Sequence, residues 1–124
     1  MAAGVSTTVA NSALGNMTGT DMAYAQLHTG DPGTAGTSNV SSVTTREATT
    51  WGSASGGVIS VNGTAPEWTS WAGTNGEVVT YESEWSASTS GTFGCSMQLS
   101  ASVTMDTGDS LTLTSISITI PTAS

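Results

Sequence analysis

The stretch EVVTYESEWSASTSGTFGCSMQLSASVTM, Glu77 to Met105, decides the class of fold. From Val78 to Trp85 the residues alternate. Val79, Tyr81, Ser83 and Trp85 fall on one side, and Thr80, Glu82 and Glu84 on the other. Period-two alternation is the mark of a β-strand. Ser86 to Gly91 is a run of small hydroxyl residues ending in glycine, suited to a turn. Phe93, Cys95, Met97 and Leu99 then line one face of a following strand, and Val103 and Met105 keep the same parity. Two alternating runs around a turn predict a β-hairpin.

The same pattern extends outward in both directions. Met22 to Thr29, Thr45 to Trp51, Val58 to Asn62 and Ala65 to Trp71 read as strands, with turn-rich sequence between them. Asn75-Gly76 is a hairpin signal. The final run, SLTLTSISITI, places Leu111 and Leu113 on one parity and Ile116, Ile118 and Ile120 on the other. A change of parity near Thr114-Ser115 predicts a bulge or a corner between two sheets. Strands at short, regular spacing predict an all-β protein, an antiparallel β-sandwich or jelly-roll-like domain. Before it, Val5, Val9, Ala13 and Met17 recur every four residues. They predict a short helix capped by Ser6 or Thr7, with Gly15 as a stop. The expected organisation is one domain over residues 1–124, with a helix or arm at 1–20 and the β-sandwich at 21–121.

Composition excludes several functions. Charged residues make up 8% of the 124, against about 25% in ordinary soluble domains. Serine and threonine supply about a third of the chain, which favours strands and a hydroxyl-rich surface. Nine carboxylates face a single cation, Arg46, for a net charge of −8. One arginine cannot neutralise a phosphate backbone, so no nucleic-acid partner is expected. The same sign opposes binding to an anionic membrane surface. No run is apolar enough to insert in a bilayer, and MAAGVSTTVA lacks the basic and apolar regions of a secretory signal. Cys95 is the only cysteine and reads as a small core residue.

Candidate chemistry is sparse. His28, the only histidine, stands three residues before Asp31. Asp31-Pro32-Gly33 reads as a structural turn, with the aspartate bonded to nearby backbone and glycine supplying a positive φ. Zinc needs three or four ligands, and no second histidine exists, so no metal and no cofactor is expected. Glu82 and Glu84 lie about 7 Å apart on one strand face. A glycosidase can use such a pair, but two acids on a solvated face is the plainer reading. Asp106 and Asp109 share a turn and could touch Ca²⁺, although a solvated turn accounts for them. Arg46 is expected to form a structural ion pair with one of the many carboxylates. Trp68 and Trp71 should face opposite ways on an extended strand, so both should not fit one core. With Tyr81 they are the candidate interface or glycan contacts.

Four segments in order carry a family resemblance: LHTGDPGTAGTSNV (Leu27 to Val40), TREATTWGSASGG (Thr45 to Gly57), EWSASTSGTF (Glu84 to Phe93) and TMDTGDSLTL (Thr104 to Leu113). The chain resembles small virion structural proteins of tailed phages and related viruses, of the tail-fibre, minor-tail or head-decoration type. Their turn and hairpin motifs are LHT-x-DPG and WSA…GTF. It departs from them at Thr107, at Glu84 before the tryptophan, and in the extra WAGTNGE stretch. The resemblance implies a non-enzymatic part of a virus particle and brings no catalytic residues. The reading that follows is an oligomeric capsid-surface protein, a decoration or turret subunit, whose partners are its own copies and other virion proteins. A tail-fibre or minor-tail protein that binds a host-surface glycan is the alternative. A stand-alone carbohydrate-binding module is the reading of a different class.

Overall fold

The structure, a computed structural model, describes residues 4–123. The first three residues of the expected N-terminal arm lie outside that range. The described residues form one helix, α1 (Thr7–Thr20), and eight strands: β1 (Tyr24–His28), β2 (Glu47–Ala48), β3 (Val58–Ser60), β4 (Glu67–Trp68), β5 (Glu77–Trp85), β6 (Phe93–Met105), β7 (Leu111–Thr112) and β8 (Ser117–Thr119). All strand pairs are antiparallel. A four-stranded sheet has the order β2-β1-β5-β6, and two short sheets pair β3 with β8 and β4 with β7. This is the all-β, sandwich-like class that the alternation predicts.

The hairpin over Glu77 to Met105 forms as β5 and β6. Asn75-Gly76, by contrast, does not join paired strands. Gly76 N–H bonds Met105 O, while β4 turns away to pair with β7. The parity change near Thr114 is the corner between two sheets: Leu111 lies in β7 beside β4, and Ile118 in β8 beside β3.

The core gathers Ala25, Leu27, Trp68, Trp71, Val79, Met105, Leu111, Leu113 and Ile116. Trp68 and Trp71 are 3% and 2% exposed, so both tryptophans do fit one core. The reason is local. β4 ends at Trp68, and Ser70 takes a left-handed φ of 52°, which returns Trp71 to the same side.

Helix α1 starts where expected, with Ser6 Oγ accepting the Val9 N–H at 3.2 Å. It runs past Gly15 to Thr20. Its buried stripe is Ala10, Leu14 and Thr18 rather than the valine stripe, and Val9 is 54% exposed. Asn11 fixes the helix against the β3 turn by accepting the Gly57 N–H at 2.9 Å. Among the described residues no helix is long and apolar enough to cross a membrane.

Candidate functional site

β1 from Ala25 to His28 and β5 from Glu82 to Trp85 are buried on both faces of their sheet, and this controls the polar groups there. Ala25 and Leu27 pair across with Glu84 and Glu82, so both carboxyls share the core face with these apolar residues. On the other side of β5, Glu82 and Glu84 pair with Met97 and Cys95 of β6. Both glutamates are fully buried, which corrects the solvated face expected for them. The switch comes at the irregularity between Val79 and Tyr81. Val79 belongs to the core, and beyond that point the even-numbered residues take over the core face.

Thr49 Oγ donates to Glu84 Oε1 at 3.1 Å. Both oxygens of Glu82 and the second oxygen of Glu84 have no protein donor. Burial, and after it the neighbouring charge of Glu84, raise the Glu82 pKa well above its ordinary value. Glu84 is pushed up to about 8, mainly by burial and against the bond from Thr49. Burial therefore favours the neutral form of both carboxyls, and the charge on one raises the cost of ionising the other. Closed off in the core, they are out of reach of a glycosidic bond. Cys95 lies beside them with Sγ 3.3 Å from Met22 Sδ, and burial together with the two glutamates pushes its thiol up to about 12. It is half-buried and inert as a nucleophile.

The opposite face of β1 and β5 carries a hydrogen-bonded chain. Trp85 Nε1 donates to Ser83 Oγ at 2.7 Å. Ser83 Oγ lies 2.7 Å from His28 Nε2, and His28 Nδ1 lies 2.9 Å from Ser38 O. A carbonyl only accepts, so Nδ1 carries the proton and Nε2 accepts from the serine. Burial lowers the His28 pKa and keeps the ring neutral, against the bond to Ser38. A serine on a histidine nitrogen is the pairing of a hydrolase nucleophile and base. Here His28 and Ser83 are both 0% exposed, and the pair holds a loop instead.

That loop is residues 29–41. Asp31 Oδ1 accepts the Gly33 N–H at 2.8 Å, Ser38 N–H bonds Pro32 O, and Asn39 Nδ2 donates to Asp31 O. Gly36, at φ 71°, lies directly against the Phe93 ring. Glu77 receives Ser41 Oγ–H and Ser42 N–H, and these bonds outweigh burial to hold its carboxyl below the ordinary value. Asp109 Oδ2 accepts the Asp106 N–H, which closes their turn on itself. Among the described residues no three His, Cys, Asp or Glu side chains are grouped to hold a metal ion.

Among the described residues Arg46 has no carboxylate as a hydrogen-bond partner, contrary to the expected ion pair. Nε donates to Gln26 Oε1 at 3.1 Å, and Nη1 to Ala87 O at 3.0 Å and Ser90 O at 2.6 Å. Its guanidinium lies 3.9 Å from the centre of the Trp85 ring. It lines an open depression of about 470 Å³ with Gln26, Thr44, Thr45, Ser88, Thr89 and Ser90. Of the candidate aromatic contacts, Trp68 and Trp71 keep only their edges in a shallow groove of about 210 Å³ beside Val43 and Glu47. Their indole N–H groups are bonded to Thr45 O and Thr74 O. Tyr81 is half-buried between His28 and Gln98.

Sequence reading missed Ser83, Thr49 and the hydroxyl walls around Arg46. The runs Thr44-Thr45-Arg46 and Ser88-Thr89-Ser90 are visible in the sequence, but nothing local says that they meet.

These features define a β-rich protein whose buried polar groups fasten loops to a sheet. Residues 1–121 match the family described as podophage GP4 fiber I protein gp80, and the chain belongs to that family. It is thus a phage fibre-type protein. No curated protein matches the sequence.

Proposed function

We propose that the protein is a non-enzymatic structural subunit of the virion, placed in a fibre, and that it assembles with copies of itself through the free edge of β6. The family supports the fibre position over the capsid-surface position that the sequence alone favours. The observation that carries the assembly is β6 itself. It closes the order of the four-stranded sheet and runs for 13 residues, without a charged residue or a proline from Phe93 to Met105. Natural sheets protect long edges with lysine, proline or a cover, because unpaired backbone groups recruit another strand. Here Cys95, Met97, Leu99 and Val103 are also only half-buried. A second copy of the uncharged edge satisfies the backbone and covers that row.

Light scattering on the purified protein at tens of micromolar concentration should give a discrete oligomer. Ser100→Lys with Ser102→Lys, both at exposed positions, should return it to monomer with the fold intact by circular dichroism. A wild-type monomer, or an oligomer indifferent to the two lysines, overturns the edge assembly. Antibody labelling of virions tests the position: label along fibres supports it, and label over the shell moves the protein to the capsid surface.

A further inference from the structure

The geometry points to a second role for Arg46: a subsite for a saccharide that carries one carboxylate. The depression around it is large enough for a small ligand of disaccharide size. Arg46 stands in its wall as the only lysine or arginine of a chain with net charge −8. Its guanidinium is held at Nε by Gln26, at Nη1 by Ala87 and Ser90, and on its face by Trp85. The described residues give acceptors to Nε and Nη1 but none to Nη2. A purely structural arginine in so acidic a chain would be expected to find a carboxylate. Among the described residues this one has no carboxylate partner, and Nη2 is left available as a donor.

The rest of the wall sets the ligand class. Thr44, Thr45, Ser88, Thr89 and Ser90 offer hydroxyls that both donate and accept, which suits the hydroxyls of a sugar. One guanidinium matches one monoanion. The acidity of the whole chain disfavours polyanions. Holding the guanidinium in place before binding lowers the ordering cost of the complex. This site would serve a fibre or a capsid-surface subunit alike, and its test does not depend on either position.

The test compares cellobiouronic acid with cellobiose, which differ by one carboxylate, by NMR titration on the Arg46 Nε–H and Trp85 Nε1–H signals. The acid should bind at least about tenfold more tightly than the neutral sugar. It should also bind more tightly than acetate, and lose affinity as salt is raised. Arg46 also ties three segments together, so the decisive variants leave it in place. Thr89 is exposed on the rim. Thr89→Glu supplies an internal carboxylate and should abolish binding, while Thr89→Gln should keep it within about threefold. Equal binding of the two sugars, no binding of either, equal binding of acetate, or binding untouched by Thr89→Glu each overturns the proposal.

Discussion

Glu82 and Glu84 stand two residues apart on the core face of β5, opposite Leu27 and Ala25, and both are fully buried. Two carboxyls so placed cannot both ionise without leaving charge in the core. The apolar core thus contains a titratable element.

Stability should therefore fall as the solution becomes alkaline. The unfolded carboxyls titrate near 4.5, whereas Glu84 in the folded chain titrates at about 8 and Glu82 well above its ordinary value. Between those limits the folded chain binds more protons than the unfolded chain. The pair's contribution is complete below about pH 4.5 and is lost as pH rises through 8. His28 acts in the opposite sense: its lowered pKa costs stability as pH falls below 6.5. Above 6.5 the glutamates dominate, with a slope of up to about 1.4 kcal/mol per pH unit for each proton. Urea melts from pH 5 to 9 check this. Glu82→Gln with Glu84→Gln should flatten the alkaline limb, since neutral amides replace groups that must otherwise lose protons in the core. A wild-type stability that climbs steadily to pH 9 contradicts the raised pKa values of the two carboxyls.

Ser83 is the hinge of the opposite face, and Ser83→Ala should cost about 2–4 kcal/mol because it leaves both Trp85 Nε1–H and His28 Nε2 buried without a partner. The same geometry fixes the histidine. Long-range ¹⁵N–¹H spectra should show the Nδ1–H tautomer at neutral pH, persisting as pH is lowered through 6.5. An Nε2–H tautomer, or an imidazolium already formed at 6.5, would refute the assigned chain of donors.

How much of this was legible follows from which residues feel only their neighbours. The alternation from Phe93 to Leu99 and the parity change near Thr114 are local patterns, and both became the strands and corner they describe. The Glu82 and Glu84 environment was not legible, because strand period gives a shared face but not what covers it. Here β1 brings Leu27 and Ala25 across from 55 and more residues away. Arg46 misled for a related reason: charge counting suggests a carboxylate, whereas the chain places backbone carbonyls of residues 87 and 90 against it. Trp68 and Trp71 misled because one residue between them, Ser70, leaves the extended region.

Gly36 links the 29–41 loop to the β5–β6 hairpin, and its substitution can be separated into two costs. At φ 71° any L side chain is strained, and a Cβ there would collide with the Phe93 ring. Phe93 in turn packs on Trp85 with ring centres 5.5 Å apart. Gly76, at φ 80°, has open space where its Cβ would stand, so Gly76→Ala reports the backbone cost alone, about 1 kcal/mol. Gly36→Ala should cost about 2–4 kcal/mol, the excess reflecting displacement of Phe93 and the loop. In the double variant Gly36→Ala with Phe93→Ala the excess should disappear, because the collision is gone. Thermal melts of the four proteins, with Phe93→Ala as the reference, give the coupling directly. Equal costs for Gly36→Ala and Gly76→Ala, or strictly additive effects with Phe93→Ala, would show that the loop does not rest on the ring.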